Sequence, residues 1–237
     1  MLIVKTKQKE FVFNFEPTVK DIGIKMSGGT DSSIIAYMLS LYKKKYRPDL
    51  NLHVITMDHP SKAFQIKFAK QVMSWLENEF DFKFASHTTG TGTETGNYSY
   101  EQLVLLEKSY KENNLYAHFM GQTTNPLDYH ENETLVKEWD WRSEERDVEM
   151  HGQLEGSGFV FSEFEEWQKN DGICYRGYYP LLFVDKKCVA DLYQKFDITD
   201  SLFPLTRSCE QETNDFSKHC GSCWWCGERE YGFGRLI

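Results

Sequence analysis

Long apolar runs, an excess of basic residues and the two commonest nucleotide-binding fingerprints are all missing from this chain. No stretch approaches the ~18 continuous apolar residues of a membrane-crossing helix, and the start, Met1-Leu2-Ile3-Val4-Lys5-Thr6-Lys7, carries no long apolar core of a secretory leader. A cytoplasmic protein without a membrane partner is predicted. Lys and Arg number 27 against 36 Asp and Glu, a net charge of −9, which argues against nucleic acid as a partner because phosphate backbones are held by clustered cations. The one basic run, Lys43-Lys44-Lys45-Tyr46-Arg47, reads as the solvated end of a helix, where cations complement the dipole. Neither the G-x-x-x-x-G-K-S/T spacing nor G-x-G-x-x-G occurs, and no repeat at solenoid periods is present.

What is present describes a well-packed protein. At 237 residues with 15% aromatics, the chain can bury a substantial core, and one α/β domain with a small appendage fits its length. The composition gives no case for disorder. Four of the six cysteines cluster at metal-ligand spacing, which is not the spread of a disulfide framework and agrees with a reducing compartment.

The strongest local signal is Ser27-Gly28-Gly29-Thr30-Asp31-Ser32-Ser33, set between Asp21-Ile22-Gly23-Ile24-Lys25-Met26 and the apolar run Ile34-Ile35-Ala36-Tyr37-Met38-Leu39. A turn of small residues between a strand and a helix lets backbone N–H groups and the helix dipole converge on a phosphate. Gly28 and Gly29 bring the backbone close to an anion, and the serines add hydroxyl donors. Asp31 would repel such a ligand unless a divalent cation sits between them, so it reads as a magnesium contact. As an ordinary turn, the same residues would make Asp31 a helix N-cap.

Around this turn the pattern is strand, turn, helix to about Lys44, then a strand Leu52–Met57 ending at Asp58, a βαβ unit that implies a parallel sheet. Ligands of such sheets bind beyond the carboxyl ends of the strands, which places Asp58 and His59 on the rim of the phosphate turn, facing adenosine. A helix follows from about Ala63 to Glu79, then a strand Phe82–Ala85. Thr88 to Asn97 is too rich in Gly and Thr to pack and is expected to be a loop or a lid. A helix from about Tyr100 to Asn113 leads to a strand Tyr116–Met120 and Gly121-Gln122-Thr123-Thr124-Asn125, again on the rim. Phe11–Phe15 alternates as an edge strand or a packing arm within residues 1–20. Order resumes at Tyr178, with a last large helix from about Cys188 to Phe196. The predicted organisation is a nucleotide-binding α/β domain over 1–200 and a metal-binding segment over 201–237.

Cys209, Cys220, Cys223 and Cys226 form C-x10-C-x2-C-x2-C. Two-residue gaps turn successive thiolates onto one ion, and four thiolates are a usual structural zinc set. An iron-sulfur cluster and four buried free thiols are the rivals; the bacterial ferredoxin continuation C-x3-C-P is absent. Cys174 and Cys188 lie outside the pattern and read as core or surface thiols.

The order S-G-G-x-D-S resembles the loop of the PP-loop ATP pyrophosphatases, which cleave ATP between its α and β phosphates. Together with the cysteine pattern, with Pro180-Leu181-Leu182-Phe183-Val184-Asp185-Lys186 and with Thr206-Arg207-Ser208-Cys209, it is similar to the 7-cyano-7-deazaguanine (preQ0) synthases of queuosine biosynthesis. That resemblance covers about residues 22–60 and 178–229. It implies an open parallel sheet of the adenine nucleotide α-hydrolase type, a homodimer, and a ligase that uses ATP, magnesium and ammonia on a deazapurine carboxylate. In that reading Ser27 to Ser33, Asp58 and Gly121 hold the nucleotide, Asp31 takes magnesium, Lys186 or Lys187 neutralises the departing phosphates, and the four cysteines hold structural zinc. The family's V-P-G-R-N-like and S-x-Y-x-D-C/S-R segments are not intact here: Asn97-Tyr98-Ser99-Tyr100 and Asn125-Pro126-Leu127-Asp128 stand in their places. Trp139, Trp141 and Arg142 could stack and pair a different planar substrate or form an exposed charged helix. The alternatives are a PP-loop tRNA thiolase, which would call for an iron-sulfur cluster and a basic face, and a noncatalytic nucleotide-binding scaffold.

Overall fold

The computed structural model describes residues 1–60, 63–126, 128–137, 164–168, 172–211, 213 and 215–237; the reading of Trp139, Trp141 and Arg142 lies outside them. Short apolar runs bounded by polar residues make the central strands β3 (Asp21–Lys25), β4 (Asn51–Asp58) and β6 (Ala117–Met120). Ile22, Ile24, Leu52 and Val54 are buried, as expected of parallel strands covered on both faces. With β5 (Ser86–Thr91), β7 (Phe164–Gln168) and β8 (Cys174–Tyr178) they form a six-stranded sheet in the order β5-β4-β3-β6-β8-β7. Every pairing is parallel except that of β7 with β8. The fold is therefore the predicted α/β class.

β4 lies on one side of β3 and β6 on the other. The chain reverses its direction of winding there, and the carboxyl ends of β3 and β6 open the crevice where such sheets take ligands. Helix α1 (Thr30–Tyr46) starts at that crevice and is buried along most of its length, from Thr30 to Tyr42. Its last turn carries Lys43, Lys44 and Lys45, which confirms the basic run as a helix end. Arg47 then donates to the carbonyls of Phe15, Glu16, Pro17 and Val19, tying the helix end to the chain entering β3.

Helix α2 (Gln65–Phe80) buries Phe68, Val72 and Leu76 on one face, and α3 (Tyr98–Asn113) begins with Asn97 as its N-cap, its side chain accepting from the Tyr100 N–H at 3.0 Å. Two expectations between them need correction. Phe82–Ala85 is a connection in which the rings of Phe82 and Phe84 pack edge to face, centroids 4.9 Å apart. Thr88–Thr91, expected to stay loose, is instead part of β5 and pairs with Ile55–Asp58. β-branched threonines suit an edge strand, and Gly90 lets Leu105 of α3 approach: a Cβ there would stand 3.2 Å from its Cδ1.

Residues 1–20 form a packing arm. β1 (Leu2–Lys5) and β2 (Glu10–Phe13) pair antiparallel as their own two-stranded sheet, burying Leu2, Val4, Phe11 and Phe13. Their turn reaches α4 (Lys186–Lys195), Gln8 Nε2 donating to Asp185 Oδ1 at 2.7 Å and Lys9 Nζ to the Pro180 carbonyl at 2.9 Å. The last helix, α5 (Trp224–Phe233), follows the cysteines and packs on α4 so closely that a Cβ at Gly232 would stand 2.6 Å from the Lys186 carbonyl oxygen.

Candidate nucleotide and metal site

The turn at Ser27 to Ser33 leaves the carboxyl end of β3 and becomes the first turn of α1. Gly28 is fixed by two demands. Its φ is +78°, and a Cβ would fall 2.4 Å from the Cβ of Phe68 on α2, so only glycine fits. Gly29 is the N-cap, with no side-chain cap. The serines shape the loop: Ser27 Oγ accepts from the Gly29 N–H at 3.3 Å, and Ser33 Oγ donates to the Gly29 carbonyl at 2.7 Å. The first N–H groups of α1 have no intrahelical acceptors and carry the positive end of the dipole. They open on a cavity of about 160 Å³ lined by Ser27, Gly29, Thr30, Asp31 and Ser32. Gly121 closes its back, packed so tightly that a Cβ would lie 2.5 Å from the Asp31 carbonyl carbon.

Asp31 and Lys186 meet across this cavity. Lys186 Nζ donates to Oδ1 at 2.7 Å and to Oδ2 at 2.6 Å, with side-chain exposures of 5% for the lysine and 16% for the carboxylate. Asp185, the N-cap of α4, sets the lysine in place: its Oδ1 accepts from the Lys187 N–H and its Oδ2 from the Tyr231 hydroxyl at 2.7 Å. The two candidate lysines thus part company. Lys186 faces the turn, whereas Lys187 pairs with Glu131 at 2.6 Å and lies 4.4 Å from the Tyr231 ring centroid. The hydrogen bond to Glu131 raises the Lys187 ammonium well above its ordinary range.

Asp58 is buried on the predicted rim, but its Oδ1 accepts from the Ile66 N–H at 3.1 Å and so caps the start of α2. The His59 ring packs against Tyr98 at a tilt, ring centroids 5.1 Å apart. Met57, one residue before Asp58, lines a second cavity.

The cysteines converge as the spacing predicted. The Sγ atoms of Cys209, Cys220, Cys223 and Cys226 all lie within 4.8 Å of one another, with Cys209–Cys223 and Cys220–Cys226 both at 3.8 Å. Four sulfurs at about 2.3 Å from one tetrahedral ion stand about 3.8 Å apart, so the set fits a single metal ion. The backbone N–H groups of Cys220 and Ser222 donate to Cys209 Sγ and Cys220 Sγ, each at 3.4 Å, as thiolate ligands require. Hydrogen bonds from Cys223 and Cys226 also push the Cys209 thiol far down, toward the thiolate.

Arg207 joins the two sites. Its backbone N–H donates to the Gly28 carbonyl at 2.9 Å, inside the Ser27–Ser33 turn. Its guanidinium donates to the carbonyls of Cys209, Gln211, Phe216 and Lys218, the loop that carries the first two cysteines. Phe64, Phe68 and Phe216 surround it, and burial lowers its pKa while the four cysteines oppose that. Trp225 and Glu228 of α5 complete the turn cavity beside Arg207 and Ser208. Sequence reasoning assigned no site role to Arg207, Trp225, Glu228 or Gln65, and read Phe64 as part of an apolar core stripe. Arg207 carried one signal, its place two residues before a cysteine ligand; the others lie on elements whose docking only the fold reveals.

No profile of a known family matches the chain, and no curated protein matches it. Among solved structures, the U34-tRNA thiolase NcsA from Methanococcus maripaludis, with its 4Fe-4S cluster, is similar over 75% of this chain at a TM-score of 0.46 and 15% identity. The chain spans 56% of the length of that protein.

Proposed function

We propose that this chain is an ATP-dependent ligase of the PP-loop type that converts a deazapurine carboxylate, 7-carboxy-7-deazaguanine, to the nitrile preQ0 with ammonia as nitrogen donor. The observation that carries the reading is the placement of one cavity: the S-G-G-T-D-S turn at the head of α1, the Asp31–Lys186 pair and the cysteine segment all border it. N–H groups at a helix start and a lysine across from them suit a polyphosphate whose charge grows as the α–β bond breaks. Trp225 supplies an aromatic face in the same cavity and Glu228 a buried carboxylate, a pairing suited to a planar heterocycle that donates hydrogen bonds.

The reaction would run in balanced steps. A carboxylate oxygen attacks the α-phosphorus and pyrophosphate leaves. Ammonia then attacks the acyl carbon, AMP leaves and a proton is lost, giving the amide. The amide oxygen attacks the α-phosphorus of a second ATP, pyrophosphate leaves, and loss of AMP and of both amide protons yields the nitrile. Asp31 is the oxygen ligand that magnesium would take when it arrives with the triphosphate, and Lys186, paired with Asp31, would be the cation that meets the phosphates. Zinc is the ion that the four thiolates would hold, as a structural site with no open position.

The test is incubation of the purified protein with ATP, magnesium, ammonia and 7-carboxy-7-deazaguanine. AMP, pyrophosphate and the nitrile are expected, with one zinc per chain and no visible absorbance. Adenylation of no carboxylated deazapurine would remove this substrate, and a brown protein holding iron would remove zinc and favour the thiolase alternative.

A further inference from the structure

The cations around the phosphate turn are not equivalent. Lys186 is matched by both oxygens of Asp31, the guanidinium of Arg207 is tied to backbone carbonyls, and Lys187 faces Glu131. Lys25 differs. It stands two residues before Ser27 at the carboxyl end of β3, and its ammonium donates to the Gln102 side-chain oxygen at 3.1 Å. No carboxylate is within ion-pair distance of it among the described residues.

Its surroundings are built for a ligand. Lys25 lines a cavity of about 170 Å³ that shares Ser27, Ser32 and Gly121 with the phosphate cavity. Ile55, Met57, Leu105 and Met120 give it apolar walls, while Gln65 and Gln102 add amides. A charged amine over apolar walls, without a counter-ion, is a costly arrangement unless something anionic comes to it. Cavities with apolar walls and a few convergent polar groups are where small molecules bind.

We propose that Lys25 is the anion contact of this second cavity, holding a phosphoryl or carboxylate oxygen of a ligand whose apolar body lies against Met57, Leu105 and Met120. The inference rests on the reading of the turn as a nucleotide site. Two sources share this chemistry: the phosphoryl group next to the nucleoside, and the carboxylate of the acceptor. Burial lowers the Lys25 ammonium to about 8, so its charge is complete below that pH and is lost as pH rises through it. The groups that face it are uncharged: Gln102 from α3, Gln65 from α2, Ile55 and Met57 from β4, and from β6 His118, which burial lowers to about 3 and keeps neutral.

The experiment is equilibrium binding of adenosine, AMP, pyrophosphate, 7-carboxy-7-deazaguanine and its amide to the wild type, Lys25→Met and Lys25→Arg. If the phosphoryl is the partner, Lys25→Met loses AMP by about 10- to 100-fold, the scale of one charge-assisted hydrogen bond, and keeps adenosine and pyrophosphate. If the carboxylate is the partner, the loss falls on the carboxylated deazapurine and spares its amide. In either case Lys25→Arg recovers most of the affinity, and the wild-type affinity declines above about pH 8 while that of Lys25→Arg stays flat. Unchanged binding of all five ligands in Lys25→Met overturns the proposal, as does an equal loss of adenosine and AMP. A wild type that binds neither adenosine nor AMP sinks the nucleotide reading by itself, and the carboxylate pair then decides Lys25 alone.

Discussion

The Ser27–Ser33 turn and the cysteine segment are joined through Arg207, yet they are held in opposite ways. The turn is an outcome of regular structure: β3 ends, α1 begins, and the packing of Phe68 and Gly121 leaves the backbone one path. The segment between Ser208 and Cys223 contains no helix or strand among its described residues, and it rests on four thiols and one guanidinium. Regular elements draw their stability from a buried core, which is distributed over many contacts. A loop without a core depends on a few strong ones, and it lets a small number of residues control whether a site is complete.

The largest effect is expected where those few contacts fail. Cys209→Ser removes a ligand and the acceptor of the Cys220 N–H bond, and structural metal sites contribute folding energy outright. The melting temperature should fall on the order of 20 °C, from a loss of about 5–10 kcal/mol at roughly 2–4 °C per kcal/mol for a chain of this size. Hydrogen exchange should show 208–223 unprotected while β3 and α1 keep their protection. Metal content and melting temperature equal to wild type would mean that the thiols are merely buried. Uniform loss of protection would erase the contrast between the two regions.

A middle effect belongs to the turn. Asp31→Asn leaves the Lys186 ammonium buried without its partner, at a cost of about 3–5 kcal/mol. The double change Asp31→Asn with Lys186→Met should recover most of that stability without recovering AMP formation. A stable, inactive double variant separates the electrostatic role from the structural one. If the single variant is as stable as wild type, the pair has no structural weight, and Asp31 stands there for a cation alone.

These cases show why part of the molecule was readable and part was not. The turn, the central strands and the four ligands are local patterns: their spacing and polarity dictate strand, turn, helix and convergence within a few residues. The site between them is assembled across 155 positions from Asp31 to Lys186, and nothing local distinguishes Lys186 from Lys187. That distinction comes from the direction of the first turn of α4, set by Asp185 and Tyr231. Thr88–Thr91 was misread for a related reason, because composition speaks for a loop while the open edge of β4 recruits those residues as a strand. Asp58 stands on the expected rim, and there its Oδ1 accepts from the Ile66 N–H at the start of α2, a local contact that its place at a strand end did not reveal.

The smallest effect sharpens the comparison most, because it touches the turn and leaves the metal alone. Gly121→Ala adds one methyl group 2.5–2.7 Å from the backbone of Asp31 and Ser32. None of the three atoms belongs to a flexible side chain, so the end of β6 or the head of α1 must shift, at a cost of about 1–3 kcal/mol. Gly29→Ala is the matched control, since its nearest new contact would be the Arg207 carbonyl oxygen at 3.4 Å, an ordinary distance. Gly121→Ala should keep its full metal content and lose nucleotide affinity, and Gly29→Ala should keep its stability. If Gly121→Ala instead releases metal, the displacement passes through Arg207 into the cysteine loop. The two regions would then be one mechanical unit, joined at the hydrogen bond between Arg207 and Gly28.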